Sequence, residues 1–398
     1  MTIVPSPLHA VQISFFSDPQ QRSPEQLLDA WPALVDVAEA ASQSAIRVTV
    51  VQACSHSKHL VRNGVRYCFL PFGDAPSARE SGAEFRDLIR RLTPDVIHVH
   101  GLGFPRHVLS MAAHAAAIPI ILQDHADRPP RLWGRPLWRR AMTHAAALTF
   151  CTLEHARPFV TAGLLSPTAH VYQIPEATSR FSRGDREHAR RVTQIEGDPA
   201  VLWVGHLDEN KDPLTVLAGI SEAARTLPGL RLWCCFGTAP LMRKVQRRIA
   251  DDPILFGRVR LLGRVPHERV EHLMRAADIF VLGSHHESTG FSLIEAMACG
   301  LPPVVTDIPS FRALTGAGTA GTLWPCNDAS ALSEAVRWVA HRMDPTLRAS
   351  VRAHFERELS FDALGLKLAA MYQQVFERTH GAMSGATRRE QRASLLTF

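Results

Sequence analysis

The chain has 398 residues, of which 46% are hydrophobic and 21% are charged, as is typical of a folded globular protein. These values exclude an intrinsically disordered chain, a collagen-like repeat and a small disulfide scaffold, and the length favours two domains. The 44 basic side chains exceed the 38 acidic ones by 6. Both halves of the chain share this excess, so no basic domain or tail indicates a nucleic-acid partner.

The seven cysteines show no C-x-x-C spacing, which indicates buried thiols in a reducing compartment and not a disulfide framework or a zinc site. Residues 1–16 lack the basic region and long apolar stretch of a signal peptide, and no run of 18 apolar residues follows. We therefore expect a cytoplasmic protein.

The first half alternates short apolar runs with longer segments of helical periodicity, a pattern typical of parallel sheets covered by helices. Strands are expected to begin at Ala10, Arg47, Val65, Val96, Ile118 and Ala147. The best-marked helix follows Ser23, whose hydroxyl can cap it. Pro24 stands at the tolerated first position and Gln26 completes a capping box, so a helix is predicted to run to Ala41.

The second half repeats the pattern after a charge-rich, apolar-poor stretch at 180–191, the expected joint between domains. Its strands are expected to begin at Ala200, Arg231, Val259, Asp278 and Pro302. A last amphipathic helix is predicted from about Asp362 to Arg378, followed by a frayed tail. We therefore predict two α/β, doubly wound domains over 1–185 and 186–360, and a C-terminal helix and tail over 361–398, the helix packing back toward the N-terminal domain.

The segment 283–307 is the most informative for function. A strand ends at Ser284, a polar loop follows, and Gly290 allows a tight turn into a helix. The residues of this helix expected to face the core are Phe291, Leu293, Ile294 and Met297. The start of such a helix, at the carboxyl end of a parallel sheet, suits a phosphate.

Two carboxylates flank this expected phosphate site, Glu287 in the loop and Glu295 eight positions further on. Because carboxylates repel phosphate, we expect them to accept hydrogen bonds from hydroxyls on either side of it. A second loop contains His206 and Lys211 and precedes a helix opened by Pro213. From there a lysine can place its ammonium over a pyrophosphate.

These motifs resemble the donor-binding domain of the retaining GT-B glycosyltransferases of family 4. The residues that match the family pattern are Gly205, Lys211, Glu287, Gly290, Glu295 and the run 296–307, and the resemblance covers about residues 200 to 310. It implies a GT-B fold, in which two Rossmann-like doubly wound domains face a central cleft, and a nucleotide-diphosphate sugar as donor.

The resemblance also implies roles for individual residues. Lys211 would neutralise the diphosphate, Glu295 would accept from the ribose hydroxyls, and Glu287 would lie beside the transferred sugar. The backbone N–H groups of Gly290, Phe291 and Ser292 would hold sugar and phosphate oxygens, and Val265 would approach the base. The chain departs from the family at His206, where an arginine is expected, because imidazole offers a smaller, pH-dependent charge and no bidentate fork.

The first half is more divergent from the family. Where relatives commonly have a glycine-rich turn after the first strand, this chain has Gln20, Gln21 and Arg22, whose side chains are candidate contacts for phosphate or acceptor. His125 follows the strand from Ile118 and is the candidate for the functional histidine of the family near the anomeric centre, with Asp124 or Asp127 orienting it. Arg128 is a further candidate acceptor or phosphate contact.

The predicted activity is transfer of a sugar, with retention of configuration, to an unidentified acceptor that is a glycan, a lipid-linked molecule or a small molecule. His125, Lys211 and Glu287 are the expected catalytic residues. The resemblance suggests front-face substitution in which the leaving phosphate helps deprotonate the acceptor, so no metal and no cofactor are expected beyond the sugar nucleotide itself.

Two other functions stay open at this point. A catalytically silent GT-B protein that binds a nucleotide sugar or assists a partner enzyme is suggested by His206 and the missing glycine turn. A nicotinamide-dependent oxidoreductase would share the sheets, but no G-x-G-x-x-G opens the first βα unit.

Three histidine and arginine features allow more than one interpretation. His98 and His100 are either a metal pair or structural residues, and His285 and His286 are either structural or in contact with sugar. The stretch 128–140 has five arginines and two tryptophans. It would hold an anionic acceptor or touch an anionic membrane at the inner face, or it is a solvated loop whose tryptophans pack inward.

Overall fold

The computed structural model describes residues 7–71, 78–113 and 117–395. The chain divides into two compact units. The first unit comprises residues 1–177 and 361–398, and the second comprises residues 178–360. Residues 178–185, at the expected joint, therefore group with the second unit.

The first unit contains an eight-stranded sheet with the order β3-β4-β2-β1-β5-β6-β7-β8, in which β3 alone is antiparallel to its neighbour. Its elements up to the end of the sheet are β1 His9–Ser14, α1 Pro24–Ala30, α2 Pro32–Gln43, β2 Arg47–Cys54, β3 Lys58–Arg62, β4 Val65–Pro71, α3 Ala78–Leu92, β5 Val96–His100, α4 Pro105–Ala112, β6 Ile120–Gln123, α5 Arg135–Met142, β7 Ala145–Phe150, α6 Leu153–Thr161 and β8 Val171–Gln173. The strand order reverses between β1 and β5, and ligands bind at such a point in open parallel sheets.

All six strands predicted for this half are present, and β3 and β8 are additional. The predicted helix from Pro24 to Ala41 is wrong as a single helix because Pro32 divides it. Proline lacks a backbone N–H, and the residue before it, Trp31, leaves the helical region with φ −125° and ψ 72°. The capping box at Ser23 and Gln26 is confirmed.

The second unit contains a six-stranded parallel sheet with the order β11-β10-β9-β12-β13-β14, and all five predicted strands are present. Its elements are α7 Arg186–Thr193, β9 Ala200–Gly205, α8 Pro213–Ala224, β10 Arg231–Phe236, α9 Met242–Ala250, β11 Val259–Gly263, α10 His267–Ala276, β12 Ile279–Leu282, α11 Phe291–Ala298, β13 Pro303–Thr306, α12 Pro309–Leu314, β14 Thr322–Trp324, α13 Ala329–Ala340 and α14 Pro345–Glu358. This is the order of a dinucleotide-binding Rossmann sheet, and it reverses between β9 and β12.

The last helix, α15 Phe361–Leu395, belongs to the first unit. One of its faces is buried against α2 and the sheet by Leu364, Leu368, Met371, Tyr372 and Val375. Gly365 permits the close approach, since a Cβ there would lie 2.2 Å from the carbonyl oxygen of Ala40. The helix continues past its expected end at Arg378, through a stretch rich in good helix formers.

Candidate active site

Two loops of the second unit follow the neighbouring strands β9 and β12 and are fastened to each other. The amide of His285 donates to the carbonyl of Asn210 at 2.8 Å, and the Asn210 side chain exchanges two hydrogen bonds with the backbone of His286. Gly283 makes this approach possible, because a Cβ there would lie 2.9 Å from Val216 Cγ2. The two loops therefore form one surface at the point where the strand order reverses.

Lys211 and Glu287 meet across these loops. Their side chains form an ion pair and are only 15% and 14% exposed. The backbone N–H of Lys211 donates to Asp208 Oδ1 at 2.9 Å, which fixes the loop from which the lysine projects. The pairing holds the ammonium in one place, and partial burial strengthens its field.

Helix α11 begins beside this pair. Its first intrahelical bonds are donated by Leu293 and Ile294 to the carbonyl of Gly290, and no side chain caps its start. The N–H groups of Phe291 and Ser292 precede these bonds, so the helix offers them, together with the positive end of its dipole, to an anion.

Leu293, Ile294 and Met297 are buried, as predicted for the core face of α11. The prediction is wrong for Phe291, which is 40% exposed. Phe291 lies four positions before Glu295 and therefore shares the face of that carboxylate instead of the buried face.

Glu295, His206 and Val265 lie around the carboxyl ends of β9, β10 and β11. Glu295 Oε1 is 2.6 Å from His267 Nε2 on α10. Cys235, on β10, has a pKa raised by burial and, to a smaller extent, by the charge of Glu295, while a backbone hydrogen bond from Val265 lowers it. The thiol of Cys235 thus has both residues as neighbours.

His206 stands where the resemblance leads us to expect an arginine. Its Nδ1 accepts from the amide of Thr238 at 3.1 Å, so that the remaining donor of the neutral ring is Nε2–H. The side chain is exposed at the end of β9. It offers one donor where the family pattern has a bidentate cation.

In the first unit, His125 stands in the loop after β6 and forms an ion pair through Nδ1 with Glu176. Burial alone would lower the pKa of His125, but the hydrogen bond and charge of Glu176 and the charges of Asp127 and Asp124 raise it above its ordinary value. The carboxylate that faces the ring is therefore Glu176, while Asp127 accepts from the amide of Leu102 at 2.7 Å and Asp124 from that of Asp127 at 3.0 Å. Burial, together with the charge of Asp127, raises the pKa of Asp124 to about 7.

A buried chain of hydrogen bonds leads from His125 to α15. His125 Nε2 lies 3.1 Å from His100 Nδ1, and His100 Nε2 lies 3.2 Å from Gln12 Oε1. The Gln12 amide donates to the Tyr372 hydroxyl at 3.1 Å, which is 2.8 Å from His98 Nδ1.

The direction of these bonds follows from Gln12. Its Oε1 can only accept, so His100 carries its proton on Nε2 and accepts at Nδ1. His125 must then donate at Nε2, and because its Nδ1 faces Glu176, the ring carries both protons. Burial keeps the pKa of His100 well below its ordinary value, which agrees with a neutral ring there.

His98 and His100 are thus members of a buried structural network. Their rings stack with centroids 4.8 Å apart, and burial lowers the pKa of His98 to about 3. Over the described ranges of the chain, no three His, Cys, Asp or Glu side chains are grouped as metal ligands.

A cavity of about 420 Å³ opens beside His125 in the first unit, where its strand order reverses. Its apolar wall is formed by Phe16, Trp31, Leu34 and Phe104, and its polar lining includes His125 and Asp127. Apolar cavities with a few polar groups of perturbed pKa are typical of small-molecule sites.

Comparison with known proteins places this geometry in a family. Residues 185–353 match Glycosyl transferases group 1, and residues 33–175 match Glycosyltransferase Family 4. The phosphatidyl-myo-inositol mannosyltransferase of Mycolicibacterium smegmatis is 30% identical over 321 residues, which cover 75% of this chain and 76% of that protein. The chain belongs to the family 4 glycosyltransferases, group 1.

Other relatives agree with this assignment. The D-inositol 3-phosphate glycosyltransferase of Geodermatophilus obscurus is 27% identical over 291 residues, 70% of this chain and 63% of that protein. Among solved structures, HepE of Anabaena in complex with UDP superposes with a TM-score of 0.68 at 15% identity, covering 92% of this chain and all of the other. The family 4 chain has the GT-B fold, as expected.

Three candidate contacts of this glycosyltransferase lie away from the cavity lining. Arg22 donates two hydrogen bonds to the carboxylate of Asp18, from its backbone N–H at 3.0 Å and from Nη1 at 3.2 Å. Its Nη2 donates to Gln20 Oε1 at 2.5 Å. Gln21 has φ +48° within the same turn. The loop is therefore closed on itself, and the charge of Arg22 is balanced.

The arginine-rich stretch places its two tryptophans differently. Trp138 stacks on Phe159 with centroids 6.3 Å apart, as expected for an inward side chain. Trp133 is 84% exposed and Leu132 is 75% exposed, and Arg128 lies exposed nearby in the chain. The interpretation in which both tryptophans pack inward is wrong.

The second unit has another cavity, of about 300 Å³, lined in part by Arg183, Arg186, Arg275 and Arg348. It also includes Asp278, immediately before β12 and thus at the amino ends of the strands, opposite the loops of Lys211 and Glu287. Asp278 pairs with Arg186, and burial with the charge of Arg186 lowers the pKa of Arg348 to about 10.

Five residues that contact the predicted site residues or their network were not expected from the sequence. They are Asn210, which joins the loops of Lys211 and Glu287, His267 beside Glu295, and Glu176, Gln12 and Tyr372 in the network of His125. Each is remote in sequence from its partner, so no local spacing identifies it.

Gly290 combines a strained conformation with a close neighbour. Its φ is +99°, and a Cβ would lie 2.6 Å from Phe311 Cε1. We expect Gly290→Ala to lower the free energy of unfolding by about 3 kcal/mol, the sum of left-handed strain and overpacking. Gly257→Ala is the matched control, because φ there is +78° with open space around it, and should cost about 1 kcal/mol. Equal losses in urea unfolding would contradict the collision with Phe311.

Proposed function

We propose that the protein transfers a sugar from a nucleotide-diphosphate sugar to an acceptor hydroxyl, with retention of configuration and without a metal ion. The proposal is carried by one observation, the convergence of the Lys211–Glu287 pair and the start of α11 at the point where the second sheet reverses its strand order. The family membership of both halves supports it.

The donor diphosphate would lie against the N–H groups of Gly290, Phe291 and Ser292, with Lys211 beside it. As the bond between sugar and phosphate breaks, negative charge grows on the leaving diphosphate. The ammonium and the helix dipole stabilise this charge where it develops, and this is the largest contribution a fixed site can make. Since the cation comes from the chain, the mechanism requires no metal.

Glu287 has two roles in this arrangement. Paired with Lys211, it orients the ammonium, and it can accept a hydrogen bond from a hydroxyl of the transferred sugar. Glu295 would accept from the ribose, with His267 holding its carboxylate, and Val265 would approach the base. The ring nitrogens of His125 are both engaged within the first unit, so His125 would affect transfer through its protonation state and not as a general acid or base.

Retention follows if the acceptor attacks from the side of the leaving group. The leaving phosphate oxygen then accepts the proton of the acceptor hydroxyl as the new glycosidic bond forms and the sugar–phosphate bond breaks. No protein carboxylate has to become a covalent nucleophile in this reaction.

The test is incubation of the full chain with UDP-, GDP- and ADP-sugars and release of the nucleoside diphosphate, followed by NMR assignment of the product anomer. We expect release with one donor class and a product of the same anomeric configuration as the donor. Binding without release would support the catalytically silent alternative, and an inverted product would contradict front-face transfer.

A peripheral contact with an anionic membrane is proposed for the first unit. Leu132 and Trp133 are the exposed apolar residues of a segment that carries five arginines and no acid. Tryptophan and leucine enter the headgroup region, and arginine is attracted to anionic lipid. None of the described helices combines the length and apolar character needed to cross a bilayer.

Sedimentation with lipid vesicles tests this contact. We expect binding to phosphatidylglycerol-containing vesicles and about tenfold weaker binding of the Leu132→Ala/Trp133→Ala variant. Phe256→Ala, which removes a 73% exposed aromatic side chain from the second unit, serves as control. Equal binding of all three proteins, or binding to neutral vesicles alone, would contradict the proposal.

A further inference from the structure

The cavity of the first unit has a wall suited to an uncharged ring. Phe16 and Trp31 pack edge to face with centroids 4.9 Å apart, and Phe16 remains 46% exposed. Leu34 and Phe104 extend the apolar surface. Exposed aromatic side chains gathered on one cavity wall bury the apolar face of a ligand ring.

The charges around this cavity disfavour an anion. Neither lysine nor arginine is found among the described residues that line it. Asp127 lines it, and Asp124 is hydrogen-bonded to the backbone of Asp127. The positive charge of His125 is balanced by Glu176. The carboxylate of Asp127 therefore gives the lining a negative charge, and a phosphate would meet like charge without a guanidinium to hold it.

The loop that could have supplied a phosphate contact is occupied. Arg22 binds Asp18 and Gln20, and it does not line the cavity. Of the polar groups that do line it, the carboxylate of Asp127 can accept hydrogen bonds from ligand hydroxyls. The cavity therefore combines an apolar wall with a few polar groups, the usual design for a neutral hydroxylated ligand.

We propose that this cavity binds the acceptor and selects an uncharged, hydroxylated molecule with a ring or other apolar portion lying on Phe16 and Trp31, while excluding phosphorylated acceptors. The inference rests on the proposed function, since it identifies the ligand of the first unit as the molecule that receives the sugar.

Three probes that share a glucose ring test the preference by ligand-observed NMR titration of the full chain without donor. They are methyl β-glucoside, phenyl β-glucoside and glucose 6-phosphate. We expect phenyl β-glucoside to bind about tenfold more tightly than methyl β-glucoside, because of the aromatic contact, and glucose 6-phosphate to bind about tenfold more weakly.

Phe16→Ala is the matched variant, because the side chain is exposed and its loss leaves the backbone contact of Phe16 with Gln52 in place. It should remove most of the advantage of the phenyl group and leave the affinity for methyl β-glucoside unchanged. Trp31→Ala should act in the same way. Trp338→Ala, at a 47% exposed tryptophan of the second unit, should change none of the three affinities.

Tighter binding of glucose 6-phosphate than of methyl β-glucoside, an undiminished phenyl advantage in Phe16→Ala, or no binding of any probe would overturn the inference. The donor panel separates this failure from failure of the proposed function. Transfer to phosphorylated acceptors in preference to neutral ones would reject the inference alone. Absence of transfer from every donor, with the probe affinities as expected, would reject the proposed function alone.

Discussion

Replacing Lys211 with alanine is expected to lower kcat for sugar transfer about 10²–10³-fold, because the variant loses the cation that we propose to stabilise the leaving diphosphate. The remaining Glu287 carboxylate, deprived of its ion pair, adds repulsion at the same place. The start of α11 still offers its amides, so residual turnover should remain. Steady-state kinetics with the donor identified in the nucleotide-sugar panel measure the effect.

Two control variants show whether the loss of kcat comes from the charge at position 211 or from a lower net charge of the protein. Lys244→Ala removes an exposed lysine of α9 in the same unit and should leave kcat unchanged. Lys211→Arg keeps the charge and should recover part of the activity. Wild-type turnover in Lys211→Ala would show that the diphosphate is stabilised elsewhere.

Replacing Glu176 with glutamine is expected to lower the pKa of His125. Burial lowers the pKa of His125, and Glu176 is the first among the groups that raise it. In the wild type the imidazolium therefore persists as the pH rises past 6.5 and is lost only at the higher pKa of the folded state. In the variant the ring loses its proton at lower pH than in the wild type.

The consequence for activity has a defined sign. If transfer requires the protonated form of His125, it falls as the pH rises through the pKa of His125, and this fall should occur at lower pH in Glu176→Gln. At pH 7.5 the variant should be about tenfold slower than the wild type. Stability depends on pH in the same direction as activity. The raised pKa of His125 contributes stability that is fully present below pH 6.5 and is lost as the pH rises through the pKa of His125 in the folded protein.

NMR titration of the His125 ring, alongside the pH dependence of kcat, measures both quantities. Glu196→Gln, an exposed acid of the second unit paired with Arg231, should alter neither. An unchanged His125 titration in Glu176→Gln would contradict the geometry. A shifted titration with an unchanged rate profile would show that the imidazolium does not act on the donor.

The contacts among predicted site residues are easier to foresee in the second unit than in the first, because these residues lie in short local motifs. Gly290 and Glu287 follow a single buried strand, and their spacing fixes their positions relative to α11. Lys211 follows the neighbouring strand. Residues at the carboxyl ends of adjacent parallel strands must lie near each other, so that the Lys211–Glu287 pair follows from topology.

The network of His125 could not be predicted in this way. Tyr372 lies 360 positions after Gln12, and they meet only because α15 packs on the first sheet. Glu176 follows β8, a strand of three residues without a recognisable apolar run. The edge strand β3 is largely exposed, so hydrophobic alternation does not mark it.

Local rules failed where two of them competed. The pattern of apolar residues from Pro24 to Ala41 predicted one helix, but Pro32 interrupts the backbone hydrogen bonds of that helix. Phe291 is apolar and begins a helix, yet it is 40% exposed because it shares the face of Glu295, four positions further on.

The position of a nucleoside diphosphate tests the account most directly, in a crystal structure of the full chain with the diphosphate released in the panel. We predict that its terminal phosphate contacts the amides of Gly290, Phe291 and Ser292 and Lys211 Nζ, with the ribose hydroxyls on Glu295. A diphosphate bound instead in the arginine-lined cavity of Arg183, Arg275 and Arg348, at the opposite edge of the sheet, would contradict the assignment of the donor site.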